Sequence, residues 1–129
     1  MTTVPWSEGK CLVWDFTCSD TLAHSHLNKA VQGAGIVATD AESRKKAKYS
    51  SLPTTYIFVP IAIETFGAMG TEATYFFNEL GRRMADTTEE PRSKLFLLQR
   101  ISVALQRGNG ACVLGTIPAS NTFNDIYYL

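Results

Sequence analysis

A single carboxylate interrupts an otherwise apolar strand near the start of this chain. Cys11-Leu12-Val13-Trp14-Asp15-Phe16-Thr17-Cys18 is a run of strand-forming residues with one charge inside it. Alternation puts Leu12, Trp14 and Phe16 on one face and Val13, Asp15 and Thr17 on the other. The first reads as a core face. The second would be one too, but for the acid at its centre. An ionised carboxylate costs several kcal/mol to bury without a partner or a metal. Asp15 therefore has a partner or looks into a cleft.

A second strand is equally clear in Tyr56–Glu64. Pro60 cannot donate to a ladder, so this strand needs a sheet edge or a bulge there. Ahead of the first strand, Ser7-Glu8-Gly9-Lys10 reads as a hairpin turn. Asp20-Thr21 begins an irregular or helical turn that reaches Leu27. Between the strands, Lys29 to Ser50 is alanine-rich and then basic. It suggests two helical pieces, the second capped by Thr39-Asp40 and running to Tyr49, with Pro53 beyond it. Phe66 to Gly70 is a turn. Ala73, Phe76, Phe77, Leu80 and Met84 share one face of a following helix, which Thr87 to Glu90 breaks. Pro91 suits the first turn of another helix. That helix has Leu95, Leu98, Ile101 and Leu105 as its buried stripe and a stop near Gly108-Asn109-Gly110.

The order strand, helix, strand, helix, helix defines the α/β class: a small sheet with a right-handed βαβ crossover, parallel strands and flanking helices. With 129 residues, the chain is one domain, expected over residues 1–118, with a weakly ordered tail over 119–129. No repeat is visible.

Composition narrows the function classes. Twelve basic residues balance twelve acidic ones, so net charge gives no argument for nucleic acid. Locally, Arg44, Lys45, Lys46 and Lys48 form a basic run. Cys11, Cys18 and Cys112 show no Cys-x-x-Cys spacing, and no Asn-x-Ser/Thr sequon occurs. An intracellular location, nuclear or cytoplasmic, is expected. No apolar run is long enough to cross a membrane, so no membrane partner is expected.

In parallel α/β units, sites gather at the carboxyl ends of the strands. Asp15 lies late in the first strand and Glu64 ends the second. Lys46, Lys48 and Tyr49 close the intervening helix. Two carboxylates and a lysine are the equipment of Mg²⁺-dependent phosphodiester hydrolysis. The carboxylates hold the ion, the ion activates water, and the lysine steadies the developing charge. Asp15 and Glu64 are thus candidate metal ligands, with Asp15, Lys48 and Glu64 as the candidate catalytic set. Arg44, Lys45 and Lys46 are candidate phosphate contacts. The competing reading makes Asp15 an ion-pair partner of Lys10 or Lys48, Glu64 a cap or surface residue, and the basic run a solvated helix face. His24-x-His26 lacks a third zinc ligand. Gly33-x-Gly35 and Gly108-x-Gly110 do not follow a strand in a nucleotide-binding pattern.

Three segments taken together resemble a known family: Val13-Trp14-Asp15-Phe16-Thr17, Lys45-Lys-Ala-Lys-Tyr49, and Pro60-Ile-Ala-Ile-Glu64-Thr-Phe-Gly67. They are similar to the restriction-enzyme-like PD-(D/E)xK endonuclease domain at the C-terminus of non-LTR retrotransposon reverse-transcriptase polyproteins. Gly81-Arg82-Arg83, Gln99-Arg100-Ile101 and Gln106-Arg107-Gly108-Asn109 also fit, and the likeness runs from about Pro5 to Pro118. It implies a mixed sheet flanked by helices and DNA cleavage with Mg²⁺. Asp15 is then the second metal-binding acid and Lys48 the displaced catalytic lysine, with Lys45 as the alternative. Thr17 stands where the usual lysine would be. The Pro-Asp of the preceding strand has no counterpart, because no acid precedes Glu8. The resemblance thus implies a fragment lacking an N-terminal polyprotein segment, with weak Mg²⁺ affinity and no activity of its own. The alternative is a non-catalytic module that binds DNA or RNA through the Arg44–Lys48 helix. Neither reading fixes an oligomeric state.

Overall fold

The computed structural model describes residues 1–116. The elements are β1 (Cys11–Ser19), a 3-10 turn (His24–His26), α1 (Leu27–Ala30), α2 (Ile36–Lys48), β2 (Tyr56–Glu64), α3 (Thr71–Thr88) and α4 (Ser93–Thr116). β1 and β2 pair in parallel, from Cys11 opposite Tyr56 to Ser19 opposite Glu64. The protein is thus mixed α/β: two parallel strands with an intervening helix, then two C-terminal helices.

The strand pleat sorts the side chains. Asp15, Thr17, Pro60, Ala62 and Glu64 share the face under α2. Ala38 and Ala41 of α2 pack there on Ala62, and these small residues let helix and sheet approach closely. Leu12, Trp14 and Phe16 share the opposite face with Ile61 and Ile63, where α3 packs on β2. Leu12, Ile61 and Ile63 are buried. The first face was expected to be wholly core, but Trp14 is 45% and Phe16 54% exposed. The cause is breadth: α3 lies over β2 and leaves the outer half of β1 uncovered.

The hairpin turn forms as expected. Lys10 N–H donates to the Ser7 carbonyl at 2.8 Å, with Glu8 and Gly9 both at positive φ. Two consecutive left-handed residues match the twist of a tight hairpin. The short leading segment is held by Thr2, whose N–H donates to the Leu12 carbonyl at 2.9 Å. It is also held by Trp6, whose ring lies 3.8 Å beneath the Arg83 guanidinium. β2 has the expected bounds, and Pro60 points its missing N–H toward the outer edge.

Two boundaries differ from expectation. α2 starts at Ile36 rather than at Thr39-Asp40, because its cap is a distant side chain described below. α4 continues through Gly108 and Gly110 to Thr116. Neither glycine takes the positive φ of a helix stop, and Asn109 Nδ2 donates to the Thr65 carbonyl at 2.8 Å, fastening the helix at its expected end. The tail expected over 119–129 lies outside the described residues.

Candidate functional site

Asp15 stands at the middle of β1 and points toward α2. Lys45 Nζ lies 2.8 Å from its Oδ2, and each side chain is about 30% exposed. The contact is an ion pair without the alignment of a hydrogen bond, so the buried Oδ2 has no directed donor. The adjacent carboxylate raises the Lys45 pKa above its ordinary value. The residues expected to neutralise Asp15, Lys10 and Lys48, do not do so. Lys48 instead sits over the ring of Tyr49, 5.3 Å from its centroid, and Tyr49 packs on Phe58.

Glu64 is 3% exposed. Its Oε1 accepts the N–H groups of Val37 at 3.0 Å and Ala38 at 3.3 Å. These are first-turn donors of α2 with no partner inside the helix. A carboxylate there also meets the positive end of the helix dipole. Glu64 is therefore the cap of α2, reached across the sheet.

The structure does not bring Glu64 and Asp15 together. They stand four register positions apart, roughly 13 Å along the strand direction. Their partners on α2, Val37 and Lys45, are separated by about 12 Å of helix. Among the described residues, no three His, Cys, Asp or Glu side chains gather as a metal site requires. The candidate Mg²⁺ set of Asp15 and Glu64 does not fit one ion.

A second buried glutamate escaped the sequence reading. Glu42, 1% exposed, accepts the N–H of Ala73 at 2.9 Å and of Ala62 at 3.2 Å on Oε1, and that of Glu72 at 2.9 Å on Oε2. It caps α3 and satisfies a strand donor at once. A Cβ on Gly70 would overlap this carboxylate. The available signal was position: Glu42 adjoins Ala41 and follows Ala38 by one turn, on the stripe that meets the sheet.

Both helix N-termini are thus already neutralised. The cleft of about 870 Å³ beside them is lined by Gly35, Thr39, Asp40, Ser43, Thr71 and Tyr75, among others. It offers hydroxyls and an acid rather than free cations to a phosphate.

Three of the four cations of the basic run are neutralised in turn, Lys48 being the exception. Arg44 pairs with Asp40 at 3.3 Å, Lys45 with Asp15, and Lys46 with Glu72. Lys29, 2.8 Å from Asp40, holds that carboxyl below its usual range together with Arg44. On α3, Arg82 and Arg83 both bind Glu79 and lower its pKa to about 2.

α4 is different. Its 24 residues contain Lys94, Arg100 and Arg107 and no acid. Among the described residues, none of the three cations meets an acid. Arg100 and Arg107 lie two turns apart on an exposed stripe with Phe96, Gln99 and Val103.

No family model, curated protein or solved structure matches this chain. Its functional reading therefore rests on the geometry of these side chains.

His26 Nδ1 lies 2.8 Å from the Asp20 carbonyl, a local turn contact. No helix of the described residues is long and apolar enough to cross a membrane.

Proposed function

We propose that this chain is a restriction-endonuclease-like module of retroelement origin that holds DNA or RNA by charge and does not cut it. The parallel βαβ unit supports the fold half of this reading, with an acid in its first strand facing a helix lysine. Lys45, not Lys48, is the lysine at the acid. In this reading the pair is the remnant of a cleavage centre, closed on itself as a salt bridge. Glu64 is withdrawn into capping, so among the described residues no second carboxylate is available to share an Mg²⁺ ion with Asp15.

The observation that carries the binding half is the acid-free α4. Arg44, Lys45 and Lys46 each spend much of their charge on a neighbouring carboxylate. Lys94, Arg100 and Arg107 have no such neighbour among the described residues, and Phe96 beside Arg100 is an exposed ring on which a base can stack. Phosphate contacts release counterions, so affinity falls with salt in proportion to the number of cations engaged.

The test is binding to a labelled duplex and a labelled single strand across a salt series. Wild type should bind weakly, with a dissociation constant of roughly 10⁻⁴ to 10⁻⁶ M, and indifferently to chelator. Arg100→Gln with Arg107→Gln should lower the slope of log affinity against log salt by about two. Binding whose slope is the same in that double variant contradicts the reading.

A further inference from the structure

The two edges of the sheet are unlike. In this register the even-numbered residues of both strands turn their N–H and C=O groups outward. On β2 that outward row is occupied or disarmed from Pro60 onward, while the outward groups of Phe58 ahead of it have no partner among the described residues. Pro60 has no N–H, and Ala62 donates to Glu42. The Ala62 carbonyl accepts from Gly70, and Glu64 donates to Ala68. On β1, among the described residues, only Leu12 is occupied, by Thr2 on both its groups. Trp14, Phe16 and Cys18 present an open row, and all three side chains are exposed. Exposed edges of this kind are templates for another strand.

We propose that β1 is a dimerisation edge, where two copies of this chain pair antiparallel about a two-fold axis at Phe16. The open row itself selects a second copy. It consists of three alternate residues, so it reads identically in both directions. Phe16 lies opposite its symmetry mate and Trp14 opposite Cys18 of the other copy, each pair exchanging both backbone hydrogen bonds. Thr2 on Leu12 stops the ladder at one end, and the end of β1 stops it at the other. Any other two-fold register leaves part of the row unpaired.

Side-chain chemistry fits the same register on both faces. Trp14, Phe16 and Cys18 carry no charge, and Phe16 and Cys18 line an apolar groove of about 460 Å³ with Ile63, Phe77 and Leu105. Doubling the strand there joins two exposed aromatic pairs into one patch. On the α2 face, Asp15 comes opposite Thr17 of the other copy, not opposite its own mate. Such non-hydrogen-bonded positions bring side chains close. The two Asp15 carboxylates are thereby kept out of direct opposition, and Lys45 of each chain holds the charge of its own. The result is an isologous four-stranded sheet in the order β2-β1-β1-β2. This association is independent of nucleic-acid binding.

The experiment is sedimentation of the full chain from about 1 to about 300 μM, the range a small interface requires, together with cross-linking. Wild type should shift from monomer to dimer. Phe16→Pro removes an outward N–H and spares every β1–β2 bond, so it should stay monomeric with an unchanged far-ultraviolet spectrum. Phe16→Lys should do the same without altering the backbone. In a chain with Cys11, Cys18 and Cys112 each changed to Ser, Phe16→Cys should form an inter-chain disulfide. Hydrogen-bonded antiparallel partners sit about 5.5 Å apart at Cα, within disulfide reach. Phe66→Cys, exposed elsewhere, should cross-link far more slowly. A monomer throughout, a dimer indifferent to both Phe16 variants, assembly beyond the dimer, or equal cross-linking at Phe66 each overturns the proposal. So does a monomer whose Phe16 amide resists exchange, because another part of the chain then covers the edge.

Discussion

Gly70 leaves the space that the Glu42 carboxylate fills, and that carboxylate joins α2, β2 and α3 at one point. Ala62, Glu72 and Ala73 all donate their N–H groups to it. Losing it strands buried donors that water cannot reach. Glu42→Ala should destabilise the fold by roughly 3 kcal/mol or more, given about 1–3 kcal/mol for each buried polar group left unsatisfied. Gly70→Ala should also destabilise, because the new methyl displaces the same carboxylate. Urea unfolding followed by circular dichroism measures both.

Glu64 makes the matching prediction for α2. Glu64→Ala removes the acceptor of the Val37 and Ala38 N–H groups and should cost about 2 kcal/mol in the same assay. Activity at a metal is not the quantity that should respond. Mg²⁺ should leave the wild-type unfolding midpoint unchanged, since Glu64 and Asp15 do not converge.

Much of the fold was legible in the sequence. Both strands, the hairpin turn and the long α3 follow from alternation, turn chemistry and helical spacing, signals set by the residues themselves. The start of α2 was not legible in that way. Its cap, Glu64, lies 27 residues downstream of Val37, and local rules look for capping side chains within the first turn. The burial of Trp14 and Phe16 was overstated for a related reason. Alternation assigns a face but not how far the covering helix reaches across it. For Asp15 the alternation leaves a partner or a cleft open, and the fold supplies a partner. Its partner, Lys45, was among the candidate lysines of the resemblance, but only packing of α2 on β1 selects it over Lys48. Arg100 and Arg107 were visible as motif residues. Their lack of acidic neighbours is a property of the folded surface.

Lys45 carries a pH signature. Its pKa is raised by Asp15, so the stabilisation is fully present below the ordinary lysine value of 10.5. It is lost as pH rises through the higher folded value. Amine titration by NMR should place Lys45 above the exposed lysines in wild type, and Asp15→Asn should bring it back toward them.

Glu79 behaves oppositely. Arg82 and Arg83 lower its pKa to about 2 from an ordinary value of 4.5. A depressed carboxylate stabilises the folded state above its unfolded value, and that contribution fades as pH falls from about 4.5 to about 2. Unfolding midpoints of wild type and Glu79→Gln should therefore differ at pH 7 and converge as pH falls through that window.

The most direct test of the account compares three chains binding one labelled oligonucleotide at about 50 mM salt, by fluorescence anisotropy with and without Mg²⁺. Asp15→Asn should bind like wild type, and Mg²⁺ should neither tighten binding nor release cleaved product. Arg100→Gln with Arg107→Gln should weaken binding by about tenfold for each phosphate contact removed. Binding lost in Asp15→Asn with the fold intact, or Mg²⁺-dependent cleavage that Asp15→Asn abolishes, would contradict the account.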